Sequence, residues 1–505
     1  MGFPNAPMLA TYRDAVFLSR TALAHWRRSS WLGRWIGALG SWESGSFLIR
    51  HGDAVGALMV ALIFAGAPFI GTGPIGIGLV AAAGFWLLMT LADGQGQGVT
   101  TFGRSPNTPP INALLFTPIH LPLLLYGAIA IAATGLSPVP KAALSGLIKL
   151  GLYLIFFALM ARVLRSPQWR SRVITVYLYA ALGVAAYGLH QQFHGVPALA
   201  TWVDAQSTLA KTTRVYSSLG NPNLLAGYLV PAVPLSVAAV FHWRGWGAKA
   251  LAGFMVLMNS ACLVLTYSRG GWLGLVAALG AIAILLVGWW SVRFSSFWRK
   301  WALPILLGGG VTVLMGAILF VAPIRTRVMS IFAGRGDSSN NFRINVWDAV
   351  FEMIADRPWI GIGPGNNAFN KIYPLYQRPK YTALSAYSVV LEICVETGLI
   401  GAIAFLWLLT VTLHQAWVQT RRLQNIWHRD GYWILGAVAA IIGMMIHGTV
   451  DTVWYRPQVQ TVWWLLVAIV ASYWQPPQLT AVPKIPSDLE QETAVAIASN
   501  RDGKN

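Results

Sequence analysis

The sequence predicts an all-α membrane protein that crosses the bilayer about twelve times and carries one long, partly helical loop on its outer side. Three observations lead there. Hydrophobic residues make up 56% of the 505 and charged residues only 10%, against roughly a quarter charged in a soluble domain, which is too little polar surface to cover a soluble core. The apolar residues come in runs long enough for helices to cross roughly 30 Å of hydrocarbon, about twice the length of a barrel strand. The formal charge of +19 sits mainly between those runs, where cations set topology, rather than in a patch suited to nucleic acid. An ordinary soluble enzyme, a disordered chain and a nucleic-acid-binding domain are excluded.

Residues 1–52 read as a cytoplasmic N-terminal segment without a signal-like apolar stretch. Within it His25-Trp26-Arg27-Arg28 and Trp31-Leu32-Gly33-Arg34-Trp35 mix rings with cations, as an interfacial helix on an anionic leaflet does; a solvated basic tail has the same composition. Residues 53–322 hold nine expected spans, near 53–70, 75–92, 113–133, 143–163, 172–190, 222–242, 248–266, 272–290 and 302–322. The third is entered through Pro118 and Pro122. Residues 323–384 form the loop, expected to be a periplasmic helical cap. Residues 385–474 hold three more spans, near 385–413, 431–450 and 459–474, and 475–505 read as a polar, disordered cytoplasmic tail.

Orientation follows the cations. With the N-terminus inside, the inner segments carry Arg13, Arg20, Arg27, Arg28, Arg34 and Arg50, then Arg104, then Arg162, Arg165, Arg170 and Arg172, then Arg244 and Lys249, Arg293, Arg299 and Lys300, and Arg421, Arg422 and Arg429. The short opposite loops hold only Lys141, Lys211, Arg214, Arg269 and Arg456. Both termini are therefore expected in the cytoplasm. Cys262 and Cys394 both lie inside apolar runs, so no disulfide framework or metal site is expected, and no cofactor.

Charge at membrane depth marks function, and Lys149, Arg269, Glu392, Glu396 and Asp451, with His447 nearby, are the candidates. Arg269 stands in Ser268-Arg269-Gly270-Gly271, between two apolar runs with almost no loop. Arg214 precedes Asn221-Pro222-Asn223, a helix start with Pro222 near its first turn. In the long loop, Val346, Val350, Phe351 and Ile354 have helical spacing from about Asn341 to Arg357-Pro358, which puts Arg343 in the first turn. Gly361-Ile362-Gly363-Pro364-Gly365 then reads as a tight turn before a short helix, since no βαβ unit surrounds it. Glu392 and Glu396 are four apart and share one helix face; either can pair with Arg269 or Lys149, or remain protonated. Several arginines under a helical cap suit phosphate, pyrophosphate or bicarbonate.

Asn221-Pro222-Asn223, Ser268-Arg269-Gly270, Arg343 with Trp347, Gly361-Ile362-Gly363-Pro364-Gly365 and Val395-Glu396-Thr397-Gly398-Leu399-Ile400-Gly401 occur in that order. Over roughly 210–410 the chain resembles the O-antigen ligase and polymerase family of bacterial inner-membrane glycosyltransferases. It resembles more closely the cyanobacterial branch described as inorganic-carbon (bicarbonate) transporters. The resemblance implies a GT-C-like protein of the inner (plasma) membrane. Such a protein moves a glycan from an undecaprenyl-pyrophosphate carrier to an acceptor at the outer face, without nucleotide sugar or metal. It implies that Arg269 and Arg343 hold the pyrophosphate with Arg214 in support, and Glu396 is counted with them as ligand-binding. The family's catalytic histidine precedes the Glu-Thr-Gly span; here Tyr387-Ser388 holds that place, and 370–400 contain no histidine. Tyr387 and Glu392 are then the candidate catalytic pair. The expected partners are membrane lipids and either the lipid-linked glycan or bicarbonate, and a non-catalytic binding protein is the third reading.

Overall fold

The computed structural model describes Val16 and residues 46–92, 116–195 and 214–475. The aromatic–basic stretches near the N-terminus, the loop with Arg104, Lys211 and nearly all of the polar tail lie outside the described residues. Contacts divide the chain into Met1–Tyr473, which holds every element named below, and Trp474–Asn505.

Each expected span is a helix. In order they are α1 (Gly52–Gly66), α2 (Thr72–Ala92), α3 (His120–Gly135), α4 (Pro140–Val163), α5 (Pro167–His194), α6 (Pro222–His242), α7 (Trp246–Leu265), α8 (Arg269–Trp290) and α9 (Ser296–Phe320). Three cap helices follow: α10 (Ala322–Met329), α11 (Ser338–Asp356) and α12 (Asn366–Ile372). The chain then returns through α13 (Val389–Asn425), α14 (Gly431–Gly448) and α15 (Pro457–Ser472). Among the described residues nine helices are long and apolar enough to cross a membrane, and α1, α3 and α15 are shorter apolar helices. The chain is an integral membrane protein.

α6, α14 and α15 bury almost every side chain. α6 packs on α7, α8 and α14, α8 packs on α14, and α15 packs on α4 and α14. Pro231 and Pro234 lie inside α6, where neighbouring helices can compensate for lost backbone bonds. α9, by contrast, buries none of its residues.

The cap has a small core of its own, in which Val346, Val350 and Met353 of α11 meet Phe369 and Ile372 of α12. α11 begins earlier than its apolar spacing suggests. Asp337 caps it, accepting from Asn340 N at 2.9 Å, so Arg343 stands in the second turn and not the first.

α13 is two helices in series. Gly398 adopts φ +68° inside it, and the cap turn fills the break. Ile362 N donates to Val395 O at 2.8 Å, Gly363 N to Glu396 O at 2.9 Å, and Leu399 N to Pro358 O at 2.7 Å. A side chain at Gly398 would stand 2.2 Å from the Trp359 carbonyl carbon. The glycine-rich segment is thus more than a turn: it supplies the hydrogen bonds that α13 lacks at its break, where Val395 and Thr397 are buried.

Candidate functional site

α7 ends at Leu265 and α8 begins at Arg269. Ser268 caps α8, its Oγ accepting from Gly271 N at 3.2 Å. Asn221 caps α6, accepting from Asn223 N at 2.8 Å and Leu224 N at 3.2 Å, with Pro222 in the first helical position. Arg214 links the two helix starts: its Nε donates to Thr266 O at 2.9 Å and its Nη2 to Asn223 Oδ1 at 3.2 Å. Arg269 reaches up to the cap. It donates to Ser330 O at 3.1 Å and to Asp337 Oδ1 at 2.9 Å. Because Asp337 caps α11, the N-termini of α6, α8 and α11 meet around these arginines, and each adds positive potential.

Two arginines come down from the cap. Arg343 donates to Val450 O at 2.9 Å, Ser339 Oγ at 2.7 Å and Asp451 Oδ2 at 3.3 Å. Arg327, only 5% exposed, donates its Nε to Tyr267 O at 3.0 Å. Its terminal nitrogens have no partner among the described residues. The sequence placed Arg327 on the outer side without singling it out. Its role depends on a turn of α10 packing back over the α7–α8 junction, which no local motif signals.

These side chains act on one another. Burial pushes the Arg327 guanidinium down to about 9, helped by Arg269, Arg214 and Arg343 and opposed by Asp337. Burial pushes Arg214 down to about 10, with Arg343 and Arg269 adding to the effect and Asp451 opposing it. Four guanidiniums face two carboxylates, Asp337 and Asp451, so the cluster carries a positive excess. Bonds from Arg269, Arg327 and Arg343 also pin the cap to the bundle, and that structural task accounts for most of their donors. It does not account for the excess charge or for the free end of Arg327.

The glutamates are elsewhere. Glu396 accepts from Gly365 N at 2.7 Å. With Glu392 and Lys149 it lines a cavity of about 120 Å³ between α4, α13, α15 and the cap turn, one lined by none of the four arginines. The expected pairing with Arg269 does not form; that arginine takes Asp337 instead. Tyr387 stands just before the Ser388 cap of α13, at φ +49°. Its ring packs edge-on against Phe342 with centroids 5.3 Å apart. Burial, then Asp451, push its hydroxyl up to about 12, with Arg343 opposing. Tyr387 therefore belongs with the arginine cluster and Glu392 with the cavity, and no hydrogen bond joins them.

His447 lies near the end of α14, 1% exposed, with both ring nitrogens unpartnered. It is walled by Gly270, at which an added methyl would stand 3.4 Å from Nε2. It is also within electrostatic reach of Asp451 and Arg343. The sequence shows His447 only as a neighbour of Asp451. Its place beside Arg269-Gly270 depends on the packing of α8 against α14. Among the described residues no group of three or more His, Cys, Asp or Glu could hold a metal ion.

Residues 227–406 match the model of the family described as O-antigen ligase. The matched stretch contains Arg269, Arg327, Arg343, Glu392 and Glu396, whereas Arg214, His447 and Asp451 fall outside it. The match speaks to the ligase family and not to a branch within it. No curated protein matches the chain. From α6 into α13, the helices that bring the arginines together, this integral membrane protein is O-antigen ligase-like.

Proposed function

We infer that the arginine cluster holds the pyrophosphate of a lipid-linked glycan and that the chain transfers or handles that glycan at the cap face of the membrane. The observation that carries this reading is the convergence of Arg214, Arg269, Arg327 and Arg343 against only Asp337 and Asp451 at three helix N-termini. Guanidiniums match phosphate oxygens in pairs, and two linked phosphates use several at once. The family match supports the same substrate class.

His447 stands beside Arg269-Gly270 with both ring nitrogens unpartnered, and in this reading it is the proton acceptor, opposed by its own burial and helped by Asp451. Tyr387 serves as a phenolic hydrogen-bond donor beside Arg343, because burial keeps its hydroxyl protonated. Transfer of lipid-linked glycan by purified protein should fall about 10²–10⁴-fold in His447→Gln while pyrophosphate binding persists. Tyr387→Phe should cost far less. Titration with undecaprenyl pyrophosphate tests the reading directly. Saturable binding that Arg327→Gln weakens supports it. Binding of bicarbonate in preference to pyrophosphate at the same arginines would overturn it in favour of inorganic-carbon uptake, and pyrophosphate binding without transfer would leave a binding protein.

A further inference from the structure

The end of the bundle away from the cap has a basic cavity of its own. Arg170 near the start of α5 meets Asp430 just before α14, whereas the cap is bonded to Val450 and Asp451 past the other end of α14. The start of α5 therefore lies at the membrane surface opposite the cap. Beside it a cavity of about 270 Å³ opens between the starts of α1 and α5 and the ends of α2 and α4. Among the described residues Arg50, His51, Asp53, Arg162 and Trp169 line it, with the buried Met89 packed against Gly52.

Two guanidiniums thus share this cavity with one carboxylate. Asp53 holds Arg162 only loosely: its Oδ1 lies 3.5 Å from Arg162 Nε, and its side chain is 61% exposed. An ion pair that open to water adds little, so it yields to an anion that offers more oxygens. Guanidiniums match phosphate oxygens in pairs. At roughly 10–15 Å³ per water-sized group, 270 Å³ has room for a phosphodiester and the glycerol attached to it.

The surroundings say where the phosphate comes from. Phe47–Arg50 form one helical turn just before α1, in which Arg50 lines the cavity while Phe47 and Leu48 are 72% and 49% exposed. Leu58 and Leu62 of α1 and Leu87 of α2 are exposed along the two helices that run from the cavity into the bilayer. Trp169 stands at the same level with Arg172 stacked on it, 4.6 Å from the ring centre, as interfacial aromatic residues do. Free inorganic phosphate uses none of this apolar surface. An amphiphile with a phosphate head and hydrocarbon tails uses the cations and the apolar flank together. A zwitterionic head would bring a second cation against Arg50 and Arg162, which favours a lipid with net negative charge.

We propose that the cavity lined by Arg50, Arg162 and Trp169 binds the phosphate of an anionic glycerophospholipid in the leaflet away from the cap. It shares no residue with the arginine cluster beneath the cap and does not rest on the pyrophosphate reading.

The test is equilibrium binding of radiolabelled short-chain phosphatidylglycerol to the full chain in non-ionic detergent, with short-chain phosphatidylcholine and inorganic phosphate as competitors. Phosphatidylglycerol should bind saturably and resist equimolar amounts of either competitor. Arg162→Gln should weaken it about tenfold or more. Arg50→Gln, at an exposed position that leaves the fold intact, should do the same. Asp53→Asn, which removes the competing carboxylate, should tighten it, and Arg327→Gln beneath the cap should leave it unchanged. No saturable binding by folded protein overturns the proposal, as does binding that Arg50→Gln and Arg162→Gln leave unchanged or that only Arg327→Gln weakens. Equal displacement by phosphatidylcholine would show an ordinary lipid contact, and equal displacement by inorganic phosphate a site for the free ion; either result overturns it too.

Discussion

The two ends of α14 carry buried arginines with different consequences. At its start Arg170 meets Asp430, with Tyr473 stacked over the guanidinium 3.7 Å from its centroid and the Tyr473 hydroxyl donating to Asp430 O at 2.8 Å. One cation meets one anion, and an aromatic lid closes the pair. Just past the other end, about 27 Å away by helix rise, Asp451 meets Arg343 within a group of four arginines and two aspartates. Burial of arginine is common to both ends, so burial alone does not mark a site. What separates them is charge balance: a neutral pair has nothing left to offer a ligand, and an unbalanced cluster does.

The largest effect expected from this contrast is at the neutral end. Arg170→Ala strands a buried carboxylate and should lower stability by about 3–5 kcal/mol, read from unfolding in detergent, with pyrophosphate affinity unchanged. A loss under about 1 kcal/mol would mean that the two ends differ less than their geometry indicates. Arg327→Gln should show the opposite pattern. Removing charge-assisted bonds of about 1.5–3 kcal/mol predicts roughly 10–100-fold weaker pyrophosphate binding, with a smaller change in unfolding. If stability falls and affinity does not, Arg327 is only a cap strut.

Asp451→Asn sharpens the comparison. It increases the positive excess and should tighten pyrophosphate a few-fold, whereas Asp430→Asn should only destabilise. Weaker binding in Asp451→Asn would show that the aspartate orders Arg343 for the ligand rather than competing with it.

The smallest effect is in pH. Arg327 and Arg214, pushed down to about 9 and 10, are cations held below the free guanidinium value. Above about pH 9 these two arginines bind fewer protons in the folded chain than in the unfolded one, a contribution that raises unliganded stability with pH, while Tyr387, its hydroxyl pushed up to about 12 by burial, contributes the opposite sign. Bound pyrophosphate favours the charged form, so its stabilising effect should be level up to about pH 8 and shrink through 9–10. A gain that stays constant across that window would mean that the guanidiniums remain charged through it.

Apolar runs located helices at all twelve expected places among the described residues, nine of them long and apolar enough to cross a membrane and three, α1, α3 and α15, shorter. Asn221-Pro222 and Ser268 also behaved as their local chemistry dictates, since a helix cap involves only a few neighbouring residues. The start of α11 was misjudged because apolar spacing begins later than the Asp337 cap. The destinations of the charges were not legible. Arg269 could pair with a glutamate on α13 or an aspartate on the cap, and only the packing of α10 and α11 over α8 decides for Asp337. Glu392 and Glu396 did share a face, but which cavity that face meets depends on the break at Gly398.

That break limits how the molecule can move. A roof that swung open would pull Ile362 and Gly363 away from the carbonyls of Val395 and Glu396 and leave those buried backbone groups without partners, at about 1–3 kcal/mol each. The cap turn therefore behaves as a fixed keystone of α13 and not as a hinged gate. Any ligand of the arginines would then have to reach them without the cap turn lifting off α13.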